Sequence, residues 1–272
     1  MITNYIKVAL RNLIKERLNS AINIAGLVIG ISACLMLLQY TSFEDSYDSF
    51  LESKENVYRL ALDLVNPSSG ATEFQNAQTY YAVRSSVLQE IPEIQFASHL
   101  FSTSGIFDLS GTLFREEKIF YTASSFFDVL PFPVLKGNYR DLDEINTIFL
   151  SESTAIRFFG DRDPIGQKIS FNSGLRNVME LEVRGVFKDF PQNSHLNARG
   201  LISQSTFESQ IDQNQFFGPQ LRLDDVRWRW MQFYTYIKIH PHVDPGALAV
   251  KLREFCHRYR KPYDRSEERR VG

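Results

Sequence analysis

Thirty Lys and Arg against 32 Asp and Glu leave this 272-residue chain with a formal charge of −2, and 43% of its residues are hydrophobic. Such an even balance argues against a nucleic-acid binder, which carries a basic surplus, and the length admits one or two domains with a sizeable core. The two cysteines, Cys34 and Cys256, lie far apart, one inside an apolar run, and fit neither a disulfide framework nor a zinc site.

A mean hydropathy of −0.23 hides a sharp local pattern at the N-terminus. Within residues 1–18, Ile2, Tyr5, Ile6, Ala9, Leu10, Leu13, Ile14 and Leu18 recur on one helical face, while Lys7, Arg11 and Lys15 fall elsewhere. This predicts a basic amphipathic helix suited to the cytoplasmic headgroup region. Residues 22–40, INIAGLVIGISACLMLLQY, carry no charge. About 19 residues at ~1.5 Å each span roughly 28 Å, close to the hydrocarbon thickness of a bilayer. A core helix of a soluble protein keeps a polar face, and this run has only Asn23, Ser32 and Gln39. A transmembrane helix is predicted over residues 20–41. Lys7, Arg11, Lys15 and Arg17 precede it, and Glu44, Asp45, Asp48 and Glu52 follow it. The positive-inside rule then puts the N-terminus in the cytoplasm and the remainder outside. A cleaved signal peptide fits less well, because the leader is long and no small-residue cleavage site follows Tyr40. Gly26, Gly30 and Cys34 form a stripe of small residues on which another helix could pack.

Beyond the span the pattern mixes strands and helices. Residues 57–65 read as a strand ended by Asn66-Pro67-Ser68-Ser69-Gly70, and residues 76–89 as a helix with Tyr80, Val83, Val87 and Leu88 on its apolar side. Residues 95–109 and 112–121 read as strands joined at Ser110-Gly111. A short helix is expected over 124–130, a strand over 147–150, and a helix over 151–159 with Ser151 as its cap and Gly160 at its end. Residues 168–171 and 180–187 form a predicted hairpin, and residues 201–203 a short strand. Residues 227–240 are the longest strand candidate, with Trp228 and Trp230 on one side. Residues 245–259 close as a helix capped by Asp244. Strands and helices do not strictly alternate, so the fold class is α+β, with residues 132–193 expected as a smaller part inserted into the first sheet.

Motifs that carry chemistry are missing. There is no P-loop, no GxSxG elbow and no HExxH. His99, His195, His240, His242 and His257 are scattered; His240 and His242 share a strand face in this reading but lack a third ligand. Glu116-Glu117 and Asp224-Asp225 read as solvated loop pairs, and Ser194-His195 as turn chemistry. No catalytic, cofactor or metal residue is assigned.

Several blocks carry a resemblance. The opening YIKVALRNLIKERLNSAINIAGLVIGISACLMLL resembles the start of an FtsX/MacB-type ABC transporter permease. FEDSYDSFLESKENVYRL (residues 43–60), FFDVLPFPVLKGN (126–138), LSESTAIRFFGDRDPIGQKI (150–169), VRGVFKDFPQNSHL (183–196) and FYTYIKI (233–239) followed by HVDPGAL resemble further stretches of that family, in order. The resemblance implies a MacB-like periplasmic core domain over residues 42–262, with a porter-like part and an inserted smaller part, and an inner-membrane location. It implies partners as well: the lipid bilayer, a separate ABC ATPase subunit that holds the ATP, a second permease subunit in a homo- or heterodimer, and a periplasmic protein. The permease would export cargo or transmit motion across the envelope. Residues 265–272, RSEERRVG, match nothing in the family and read as a translated sequencing adapter, so a non-native tail and a fragment lacking later transmembrane helices are expected. The alternative is a single-span sensor or adaptor with an extracytoplasmic ligand-binding domain, which DNA downstream of Asp264 would discriminate.

Overall fold

No charged residue falls between Arg17 and Glu44, and that stretch folds as one helix. Helix α1 (Ile2–Lys15) precedes it, and α2 (Arg17–Asp45) follows a break at Glu16, whose backbone leaves the helical region at φ −108°, ψ 62°. Arg17 Nε donates to the Ile14 carbonyl at 3.3 Å, satisfying one of the acceptors freed by the break. At the other end the Ser46 hydroxyl donates to the Phe43 carbonyl at 2.6 Å. The computed structural model describes residues 2–46, 54–66, 69, 72–174, 178–191, 193–212 and 227–268. The chain divides into two units, Met1–Phe50 and Leu51–Gly272.

The second unit is built from strands β1 (Val57–Leu60), β2 (Leu62–Val65), β3 (Thr72–Asn76), β4 (Thr79–Tyr80), β5 (Ile94–Leu109), β6 (Thr112–Thr122), β7 (Val134–Lys136), β8 (Thr147–Ser151), β9 (Lys168–Asn172), β10 (Met179–Phe187), β11 (Gly200–Ser203) and β12 (Met231–Ile239). Its helices are α3 (Val83–Glu90), α4 (Ser125–Val129), α5 (Glu152–Phe159), α6 (Gln204–Asp212) and α7 (Pro245–Glu268). One sheet runs in the order β1-β12-β5-β6-β11-β8-β10-β7, with β4 added beside β12; β2 and β3 pair separately.

Strand β5 organises the sheet. Its first half pairs with β12, Ile94 opposite Ile239 through Phe101 opposite Phe233. Its second half turns to β9, with Phe107 opposite Phe171. Because β9 also pairs with β10, the circuit β5-β6-β11-β8-β10-β9 closes on itself as a small barrel, which removes sheet edges that would otherwise be open. The β5–β6 hairpin turns at Ser110 and Gly111, both with positive φ (53° and 90°). Two left-handed residues in a two-residue loop match the twist of the flanking strands, and the Gly111 N–H donates to Asp108 Oδ1 at 2.7 Å.

The barrel fills with aromatic side chains. Phe107 and Phe171 lie 4.5 Å apart between ring centroids, and α5 contributes Phe158, 4.5 Å from Phe114. Ile148, Leu150, Ile169, Leu181 and Val183 complete the same buried cluster. A second cluster, Val83, Val87, Ala97, Ile237, Leu248 and Phe255, seats α3 and α7 on the β5–β12 half.

Several expected elements are in place: the β5–β6 and β9–β10 hairpins, α4, β8 and α5. Ser151 accepts from the Thr154 N–H, and Asp244 accepts from the N–H groups of Gly246 and Ala247 at the start of α7. Others differ. Residues 76–89 are not one helix: the Gln78 N–H bonds to Asn76 Oδ1 at 3.0 Å, turning the chain so that Thr79 joins β12 and α3 starts only at Val83. Residues 57–65 break at Ala61 into β1 and β2, which pair in different sheets. The longest strand is β5, not residues 227–240; Arg227 to Arg229 form a turn before β12. Trp228 and Trp230 therefore do not share a strand face: Trp228 packs in the cluster under α7 and Trp230 against the barrel cluster. Residues 132–193 contribute β7 to β10 and α5, and β8 and β9 bond them to β11 and β5. Asp48, Glu52, Asp224, Asp225 and residues 269–272 lie outside the described residues, whereas Arg265–Glu268 continue α7.

Candidate functional site

The first unit carries a helix long and apolar enough to cross a membrane. Within Arg17–Glu44 an 18-residue window has a mean hydropathy of 2.3, and none of that window is buried. Gly26, Gly30 and Cys34 lie on α2. A methyl added at Gly26 or Gly30 would meet nothing within 4 Å, and Cys34 is an exposed free thiol. The stripe is thus open along one face, the geometry that admits the backbone of a neighbouring helix in lipid. Lys7, Arg11 and Lys15 on α1 and Arg17 at the start of α2 are all exposed.

Among the polar clusters of the second unit, two bring together residues distant along the chain. The first is a buried knot beside β5. Arg84 Nη1 donates to Gln204 Oε1 at 2.7 Å, Gln204 Nε2 donates to the Tyr81 hydroxyl at 3.1 Å, and Tyr81 donates to Glu208. Burial, aided by Glu208, raises the Tyr81 phenol. His99 lies against the Tyr81 and Phe233 rings. Burial, followed by the Arg84 charge, holds its imidazole well below the usual range. The knot ties the turn before α3 to α6.

The second lines a cleft of about 410 Å³ bordered by β6, α5 and the segment before β11. Glu116, expected in a solvated loop, is a β6 residue only 5% exposed, and it is ion-paired to Arg157. The partner lies in α5, so local pattern gave no sign of the pair. Burial, and then the Arg199 charge, lowers the Arg157 guanidinium. Neither the knot nor the cleft was found from sequence, since both join residues distant along the chain.

The other candidates resolve as packing. His240 and His242 stack at 5.6 Å beyond the end of β12, and among the described residues no group of three or more His, Cys, Asp or Glu could hold a metal ion. His195 Nε2 meets the Tyr236 hydroxyl at 2.6 Å, while the Ser194 hydroxyl accepts the Leu196 N–H.

Comparison with known proteins agrees with this architecture. The model of the MacB-like periplasmic core domain matches residues 20–255. A crystal structure of a domain described as that of a permease protein from Porphyromonas gingivalis superposes with a TM-score of 0.59 at 18% identity, covering 76% of this chain and 83% of that one. The periplasmic region of MacB from Actinobacillus actinomycetemcomitans gives 0.52 at 18% identity, covering 74% and 82%. At that identity the likeness is one of fold. No curated protein matches the chain. The match extends over most of the chain, from within the apolar helix to α7, and the chain belongs to the MacB-like periplasmic core domain family of ABC transporter permease components.

Proposed function

We propose that this chain is part of a permease subunit in which α2 spans the inner membrane, α1 lies on the cytoplasmic surface, and the second unit stands in the periplasm. A separate ATPase subunit hydrolyses ATP, and the permease turns that work into export or into motion passed to a periplasmic partner. The observation that carries this reading is a charge-free exposed helix, residues 18–43, lying at the start of a family match that runs on through the second unit. The basic residues before the span and the acidic ones after it favour a cytoplasmic N-terminus. Residues 1–272 hold no P-loop, and in this reading ATP is bound by the ATPase subunit. The Gly26-Gly30-Cys34 stripe is the proposed seat of a neighbouring transmembrane helix, in a second permease subunit.

Affinity purification of the tagged chain from crosslinked membranes tests the coupling. An ATPase carrying a P-loop should be recovered, and its recovery should fall when Gly26 and Gly30 are both replaced by Leu. Recovery of a kinase or methyl-accepting output protein in its place would favour a sensor.

A further inference from the structure

Around the cleft beside α5, cationic charge exceeds what the chain pairs. Arg157 is matched by Glu116, and Glu117 leans toward Arg115 at 4.0 Å. Lys118 and Arg199 form no ion pair among the described residues. Arg199 is nevertheless held in place: its Nη1 donates to Ser153 Oγ at 2.8 Å, and that hydroxyl donates to Asp189 Oδ1 at 2.9 Å. Asp189 also accepts the Ser153 N–H at 3.2 Å, so the hydroxyl hydrogen is committed and its lone pair faces Arg199.

The backbone at the rim is unusual too. Lys118 (φ 60°) and Asn197 (φ 32°) both take positive φ without being glycine. The Arg199 N–H donates to the Lys118 carbonyl at 3.0 Å, which ties the two segments where β6 and β11 start to pair. Lys118 sits where β6 carries one extra residue against β5, with Thr103 opposite Ile119 and Gly105 opposite Glu116, a bulge that re-aims a side chain. Arg157 and Arg199 line the same cleft, and the charge of Arg199 acts against that of Arg157.

We infer that this cleft binds a small anionic ligand through a carboxylate or phosphate group, with Arg199 as its guanidinium contact and Lys118 as a further charge. A planar guanidinium held in place suits an oxyanion.

Equilibrium dialysis of radiolabelled inorganic phosphate against the full chain in detergent, at ionic strength fixed with sodium chloride, tests the site. Saturable binding at one site per chain is expected, and Arg199→Gln should weaken it about tenfold, the worth of one charge-assisted contact. Lys118→Gly guards against misfolding: it removes the charge and relieves the backbone, so affinity should fall while the thermal midpoint holds or rises. Succinate displaces the label if a carboxylate is accepted; phosphate bound and not displaced assigns the phosphate group. Binding that never saturates, or that both variants leave unchanged, overturns the inference.

Discussion

Gly105 of β5 lies against Phe171 of β9: a methyl placed on Gly105 would sit 2.6 Å from the Phe171 ring. The β5–β6 register shifts between Thr103 and Gly105, where β5 leaves β12 and turns toward β9. The missing side chain lets the strand pass over the ring and close the barrel. Gly105→Ala should therefore destabilise the domain by about 1–3 kcal/mol through overpacking, read as a lower urea midpoint with an unchanged m-value. A wild-type midpoint would mean that closure does not depend on this contact.

Trp228 stacks on Tyr259 at 4.2 Å with the planes 16° apart, and Phe255 is beside them. These contacts hold α7 onto the β5–β12 half. Trp228→Ala should cost about 2 kcal/mol, less than a fully buried aromatic because Trp228 is half-buried. Hydrogen exchange should accelerate in α7 and leave β8 to β10 protected.

His99 gives the domain an acid-sensitive element. Its folded-state pKa lies well below 6.5, so as pH falls below the unfolded value the unfolded chain takes up a proton that the native chain refuses. Stability from this group is complete above that range and is lost on acidification, with a slope of at most about 1.4 kcal/mol per pH unit. Urea midpoints at neutral pH and near pH 5 should converge in a His99→Gln variant relative to wild type; an equal drop in both would assign the acid sensitivity elsewhere.

The stripe on α2 predicts a packing face. Gly30→Leu should weaken self-association in a membrane two-hybrid assay several-fold, because leucine blocks backbone approach, whereas Leu27→Ile on α2 should leave it unchanged. Equal signals from both variants would remove the stripe from the interface.

Much of this was legible where the signal is local. The apolar span announces itself by the absence of charge. The β5–β6 hairpin shows in Ser110-Gly111, and α5 and α7 in the caps Ser151 and Asp244. The barrel was not legible, because its closure depends on β5 meeting β9 some sixty residues later. Tyr80, Val83 and Val87 have helical spacing, yet the side-chain turn at Asn76 and the pairing of Thr79 with Thr235, hydroxyls 2.7 Å apart, draw the first of them into the sheet. Glu116 looked solvated beside Glu117 because the sequence does not show Arg157 across the barrel wall.

The central claim is that α2 spans the membrane with the core domain outside the cytoplasm. Its most direct test is labelling of Thr112→Cys, exposed in the β5–β6 hairpin, in a Cys34→Ala, Cys256→Ser background with a membrane-impermeant maleimide. The same background carrying Lys7→Cys serves as the opposite marker. The account predicts that intact spheroplasts label the hairpin cysteine fully and the α1 cysteine only after lysis. Labelling of the α1 cysteine alone before lysis, or recovery of the chain in the soluble fraction, would contradict it.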